Sequence, residues 1–333
     1  MAPAMTTSVT APLDPGLAAL EQARQRHRAR PLVRTIGARG LGPYRGYAEL
    51  LAAMARLRRD GARLHKLGDS VRGEPLLALE LGQADPTPCR RTSVVLAGLH
   101  PIEWIGVETA LTLTERLLGR PLGNRSVLVL PMCNPDGLLR VERNLRAGRR
   151  RFVRHNAHGV DLNRNFDVQW GYKNLLARLV PWVFRPGSYP SSEPEVTAIA
   201  EAVGGRRVDR ALSLHSFGGA VLYPSGHTMT PIPDADEHHS WARRIASRAD
   251  RRAYRAVPSW RFGFGATMGG LELDWFHRRH GAVSLLAECS RGGLGLRPSR
   301  LLDPFAWFNP PQPGSVARRI AEAAEDFVAG EPG

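Results

Sequence analysis

Short apolar runs separated by segments of helical period constrain this chain more than any other feature. Val94-Val95-Leu96-Ala97, the run at 127–130, Ala211-Leu212-Ser213-Leu214 and Val283-Ser284-Leu285-Leu286-Ala287 are too short for helices and lack a polar face. A strand wet on one side alternates; one that does not is covered on both sides, as in parallel sheets. Residues 62–67 and 76–81 read as two further strands. Helices are expected over 47–59, 105–118, 193–203, 239–251 and 315–328. Such alternation predicts an α/β fold, one domain with a mixed, mostly parallel twisted sheet and helices on both faces.

Residues 1–43 read as an N-terminal leader, with one basic helix near 17–30 and a Gly-rich connector at 37–42, ahead of a catalytic domain at 44–330. That helix lacks an apolar stripe and is expected to be peripheral. The net charge of +15 brings nucleic acid to mind. Lysine occurs only at Lys66 and Lys173, however, and the arginines are scattered, with local runs near 24–30, at Arg149-Arg150-Arg151 and at Arg251-Arg252. No nucleic-acid module accompanies them, so no specific nucleic-acid partner is expected. Cys89, Cys133 and Cys289 are too few for a disulfide framework, and the latter two follow apolar runs as small core residues do. The first residues lack a basic region followed by an apolar core, and no run nears the ~18 apolar residues of a membrane span. A soluble cytoplasmic protein is the expectation.

Several runs end in residues that carry chemistry. Leu99-His100-Pro101-Ile102-Glu103-Trp104 follows the run ending at Ala97, His215 follows Leu214, and Glu288 follows Ala287. His-x-x-Glu alone has a plainer reading, a helix start in which Glu103 complements the amide dipole. Placement favours the other reading, because open α/β sheets bind ligands beyond the carboxyl ends of their strands. Two histidines and a carboxylate are a ligand set that zinc uses when it keeps one position open, and a further carboxylate can then serve as base. Asp161-Leu162-Asn163-Arg164-Asn165-Phe166-Asp167 sets a guanidinium beside two carboxamides, suited to a bidentate grip on a carboxylate; the string also reads as a turn with Asn caps. Asn134-Pro135-Asp136-Gly137 reads as a turn by composition.

Taken in order, HPIEW, NPDG, VDLNRNFD, LHSFGGAVLYP and LLAECS resemble the zinc metallocarboxypeptidases related to carboxypeptidase A, over about 44–328. The resemblance implies the carboxypeptidase A-like, phosphorylase/hydrolase-type fold and one Zn2+ per chain held by His100, Glu103 and His215. It implies that Glu288 activates the zinc-bound water, that Asn163 and Arg164 anchor the substrate's terminal carboxylate, and that Arg154 polarises the scissile carbonyl. The implied substrate is a peptide or muropeptide with a free C-terminal carboxylate.

Departures from the pattern shape further expectations. Ile102 stands where pancreatic members carry an arginine, and the stretch from Phe262 to Trp275 lacks their mobile-loop tyrosine. Glu272, near the floor of the family's specificity pocket, is expected either to select a cationic terminal side chain or to be an outward-facing or ion-paired glutamate. A leader too short for an inhibitory propeptide points to the shorter bacterial members that act on muropeptides or glutamyl amides. One alternative is a deacylase of N-acyl amino acids of the aspartoacylase or succinylglutamate desuccinylase type. Another is a non-catalytic binder that holds an acidic partner through its basic surface. The other histidines, His155, His158, His238, His239, His277 and His280, read as structural or solvent-facing, the last two in a basic turn.

Overall fold

In the computed structural model, which describes residues 14–28, 41–82, 90–250, 252–262, 267–292 and 302–330, α1 (Pro15–Arg28) and α2 (Tyr47–Arg59) precede a hairpin of β1 (Arg63–Asp69) and β2 (Pro75–Leu81). Next come β3 (Arg91–Ala97), α3 (Trp104–Leu117), β4 (Arg125–Leu130) and α4 (Pro135–Arg146). A one-turn helix, α5 (Leu175–Arg178), and α6 (Pro194–Gly204) lead to β5 (Arg207–His215) and β6 (Ala220–Tyr223). After α7 (Ala235–Asp250) come β7 (Arg255–Pro258), the one-turn α8 (Ser259–Phe262), α9 (Glu272–His280) and β8 (Val283–Glu288). Helices α10 (Pro304–Phe308) and α11 (Pro313–Ala329) follow.

One eight-stranded sheet runs β1-β2-β4-β3-β5-β8-β6-β7. Its β4-β3-β5-β8 centre is parallel throughout, while β1–β2, β2–β4 and β6–β8 are antiparallel and β6–β7 is parallel. The absence of polar alternation now has its cause. Val95 and Ala97 of β3 enter a core shared with α2, α3, α7 and α11, whereas Val94 and Leu96 enter a second core under α6 and α9. Each fully buried Val or Leu contributes about 1.5–3 kcal/mol, so both faces select apolar residues. Cys133 and Cys289 lie in these cores as free thiols. Among the described residues no helix is long and apolar enough to cross a membrane.

Three local expectations need correction. The basic helix α1 is not peripheral: Leu20 and Ala23 are fully buried, and a Cβ on Gly16 would fall 2.5 Å from the Leu64 carbonyl oxygen. Its stripe is made of Gly16, Ala19, Leu20 and Ala23, and the lack of a side chain at Gly16 lets it come close to β1. Asn-Pro-Asp-Gly does not turn but starts α4, with the Asn134 side chain accepting from the Gly137 N–H and Pro135 in the first turn. Asn caps and first-turn prolines favour helix starts as well as turns. His277 and His280 lie on α9, not in a turn. The expected chain start, residues 37–40 of the Gly-rich connector, Ala29, Arg30, Arg251, Cys89 and residues 263–266 of the tyrosine-free loop lie outside the described residues.

Candidate active site

Parallel register brings the sequence-distant residues together. Ala97 of β3 pairs with Leu214 of β5, and His215 pairs with Glu288 of β8, so the residues just beyond these strands share one edge. Glu103 stands at the start of α3. Gly106, one turn in, lies so near β5 that a Cβ there would sit 2.5 Å from the Leu214 carbonyl oxygen. Only glycine permits this approach, and it carries Glu103 to His215.

The two imidazoles present their Nδ1 atoms to the same carboxylate. His100 Nδ1 is 2.9 Å from Glu103 Oε1, His215 Nδ1 is 2.8 Å from Glu103 Oε2, and the two Nδ1 atoms are 3.1 Å apart. Behind them His100 Nε2 meets Asp161 Oδ1 and His215 Nε2 meets Glu272 Oε1, each at 3.0 Å. A carboxylate on each Nε2 keeps the ring proton there and turns the Nδ1 lone pairs inward. Electron-pair donors crowded in this way fit a cation at their centre, and His2Glu is a zinc set with an open position. The Ser216 N–H, 3.0 Å from Glu103 Oε2, fixes the carboxylate.

Electrostatics agree with that geometry. Burial opposes ionisation of Glu103, yet His100 and His215 hold its carboxyl down, at about 2. Burial likewise opposes the charged form of His215, but Glu103 and Glu272 lift it to about 10, so a bound cation must displace a proton. Glu288 is pushed the other way: burial and the Glu103 carboxylate raise it to about 8. Its Oε2 is buried without a protein hydrogen-bond partner. A carboxylate with proton affinity near neutrality and a vacant lone pair suits a general base.

Around these groups lies a cavity of about 260 Å³, also lined by Arg154, Asn163 and Arg164. Arg154 Nε donates to Asp161 Oδ2 at 2.8 Å, which links it to the His100 support. Burial would raise the Asp161 carboxyl, but Arg154, Arg164 and His100 hold it well below the usual range. Arg164 is buried and donates to the Asn163 carbonyl oxygen. Close passage of Gly270, at φ +75°, fixes this turn: a Cβ there would lie 2.1 Å from the Arg164 carbonyl oxygen. Asn165 turns away and donates to Pro186, Tyr189 and Ser192, so only one of the two carboxamides joins the cavity.

Glu272 does not take the pocket-floor place but the ion-paired one, with His215 as its partner. Its side chain is buried behind His215 and does not line the cavity, and its own N–H donates to Asn163 Oδ1 at 3.1 Å. It neither faces the substrate space nor points to solvent. Much of the remaining lining is apolar instead and includes Leu222, Phe262, Met268, Leu271 and Leu286. Sequence reading missed Asp161 and Glu272 as imidazole partners. A signal existed for Asp161, since ligand histidines usually lean on a carboxylate and it stands two residues before Asn163. None pointed to Phe184, whose ring lies 5.7 Å from Arg154 Cζ and 5.1 Å from Arg164 Cζ. A second cluster, Asp234, His238 and His277, is no equivalent: His238 Nε2 accepts the Ser284 N–H and His238 Nδ1 faces the Asp234 carbonyl oxygen, so both ring nitrogens are engaged.

Comparison with known proteins points the same way. Residues 47–322 match the sequence profile of the family described as zinc carboxypeptidase. Carboxypeptidase A6 of Mus musculus is 27% identical over 236 residues, covering 65% of this chain and 52% of that protein. Carboxypeptidase A1 of Mus musculus is 26% identical over 250 residues, covering 69% and 57%. The chain thus spans about half the length of the curated relatives it matches. Among solved structures, carboxypeptidase A from Helicoverpa armigera superposes with a TM-score of 0.69 at 21% identity, covering 95% of this chain and 80% of that one. Murein-tripeptide amidase MpaA from Escherichia coli O157 gives 0.51 at 21% identity, covering 90% and 97%.

Proposed function

The chain belongs to the zinc carboxypeptidase family, and from that premise we propose that it removes the C-terminal residue of a peptide whose terminal side chain is apolar. The observation that carries this reading is the meeting, in one cavity, of the His100–Glu103–His215 donor set, the unpartnered Glu288 oxygen and the Arg164 guanidinium. A cation binder without hydrolytic activity has no use for the last two.

When bound, zinc supplies Lewis acidity to the scissile carbonyl and to water. Glu288 takes the proton of the attacking water and returns it to the leaving amine, a role fitted to its raised proton affinity. Glu103 cannot share that role, since its carboxyl is held far below neutrality. Arg154 meets the developing oxyanion, for which one positive donor is typically worth about 3 kcal/mol of barrier. Asn163 and Arg164 grip the terminal carboxylate. Asp161 and Glu272 orient the imidazoles.

The terminal side chain then lies against Leu222, Met268, Leu271 and Leu286. Among the described residues no carboxylate stands beside these side chains in the lining, so a cationic lysine or arginine, or the charged end of a muropeptide, would lose hydration without gaining a partner. The test is a panel of blocked dipeptides ending in Phe, Leu, Ala, Lys or Arg, with N-acetyl and N-succinyl amino acids beside them. Turnover should be highest for Phe and Leu. Preferential cleavage of the acyl amino acids would contradict the peptidase reading, and preference for Lys or Arg would contradict the apolar pocket.

A further inference from the structure

The chain between the Arg164 turn and α6 has one end at the active site and the other in water. Its inner end is tied down: Phe184 lines the cavity, the Asp161 N–H donates to the Arg185 carbonyl oxygen at 2.9 Å, and Trp170 Nε1 donates to Pro186 at 2.9 Å. Its outer part exposes Tyr172, Leu175, Leu179, Trp182 and Tyr189. These are five of the eight exposed large apolar side chains among the described residues, and Leu175 and Trp182 are 77% and 65% exposed. Soluble surfaces usually scatter such residues singly, so their concentration in one segment marks an interaction surface.

The charge of the segment selects the partner. Lys173, Arg178 and Arg185 lie within it, and no Asp or Glu occurs from Val168 to Ser192. Exposed Arg149-Arg150-Arg151 and Phe152 lead to Arg154, whose guanidinium lies against Phe184, so a second basic stretch reaches the same cavity mouth. A second copy of this chain would bring the same cationic surface against it and be repelled. Leucines flanking a tryptophan, with tyrosines and arginines around them, are instead what enters the boundary between acyl chains and anionic headgroups.

We propose that residues 172–189 seat the protein on an anionic lipid surface, with Leu175, Leu179 and Trp182 entering the interface and the arginines meeting the headgroups. No spanning helix is required. Because the segment includes Phe184, docking sets the mouth of the catalytic cavity close to the membrane plane.

Cosedimentation of the full chain tests this, using vesicles of phosphatidylcholine with phosphatidylglycerol and vesicles of phosphatidylcholine alone. The wild type should pellet with the mixed vesicles and stay largely in the supernatant with the neutral ones. The Trp182→Phe protein should lose part of the blue shift in tryptophan emission that accompanies binding. Leu175→Ser/Leu179→Ser/Trp182→Ser should bind at least about tenfold more weakly, and Arg178→Gln about fivefold. All should cleave a soluble dipeptide at the wild-type rate, which also shows that they fold. No pelleting of the wild type with anionic vesicles overturns the proposal. So does unchanged binding of the triple variant, which would mean adsorption by net charge alone. A wild-type dimer that the triple variant breaks, with no vesicle binding, would assign the patch to a second copy.

Discussion

The two ends of the parallel strands bury charge in opposite ways. At the amino end, Arg125 Nη1 and Nη2 meet Asp209 Oδ1 and Oδ2 at 2.5 and 2.7 Å, and Nη1 also meets Ser93 Oγ at 2.8 Å. That pair is saturated by its own partners. At the carboxyl end two imidazole nitrogens 3.1 Å apart face one carboxylate, and Glu288 Oε2 has no protein partner. Burial is deeper at this end, and donors and acceptors do not cancel. A closed charge pair fastens strands to one another, whereas an open one is a binding site. The same sheet therefore separates stability from chemistry by end.

Substitutions at the open end should change rate or metal affinity, and those at the closed end only stability. The largest effect is expected for Glu288→Gln, which should cut kcat by roughly 10²- to 10⁴-fold while zinc content, measured by elemental analysis, stays at one per chain. Loss of zinc together with activity would move Glu288 among the ligands and spoil the division. Next, Asp161→Asn should weaken zinc binding by about 10- to 100-fold in a chelator competition, because His100 loses the anion behind its Nε2. An unchanged affinity would mean that the imidazole needs no such support.

At the closed end, Arg125→Met should cost about 2 kcal/mol of unfolding free energy and leave kcat and KM alone, since Asp209 is partly exposed and recovers some hydration. A change in KM would show that the two ends are coupled. The smallest effect concerns pH. Burial would raise the Glu80 carboxyl, but contacts with His65 and Arg206 hold it below its ordinary value. Its folded value is thus depressed, so its contribution is present above the ordinary carboxylate range and is lost as pH falls from that range through the depressed folded value. The melting-temperature gap between wild type and Glu80→Gln should narrow on acidification; a gap that widens contradicts the assignment.

Much of this division could be read before any coordinates. Both-face burial leaves unbroken apolar runs, and the residues closing those runs, His215 and Glu288, together with His100 and Glu103 just beyond one, stand at the site. What stayed hidden depends on contacts across the sheet. Glu272 lies 57 residues from His215 in the chain, and nothing in its neighbours distinguishes a pocket floor from an imidazole support. Asn134 obeys rules shared by turns and helix starts. The α1 stripe escaped notice because Gly16 and Ala23 pack by closeness of backbone and not by bulk. Phe184 follows Leu175, Leu179 and Trp182, which are exposed, and only the fold shows that it lines the cavity.

The most direct measurement is a crystal structure of the zinc-loaded protein with anomalous data at the zinc edge. We expect one peak, about 2.0–2.2 Å from His100 Nδ1, His215 Nδ1 and a Glu103 oxygen, with Glu288 outside bonding distance. A peak ligated by Glu288, or a zinc held by Asp234, His238 and His277 with the first site empty, would contradict the account.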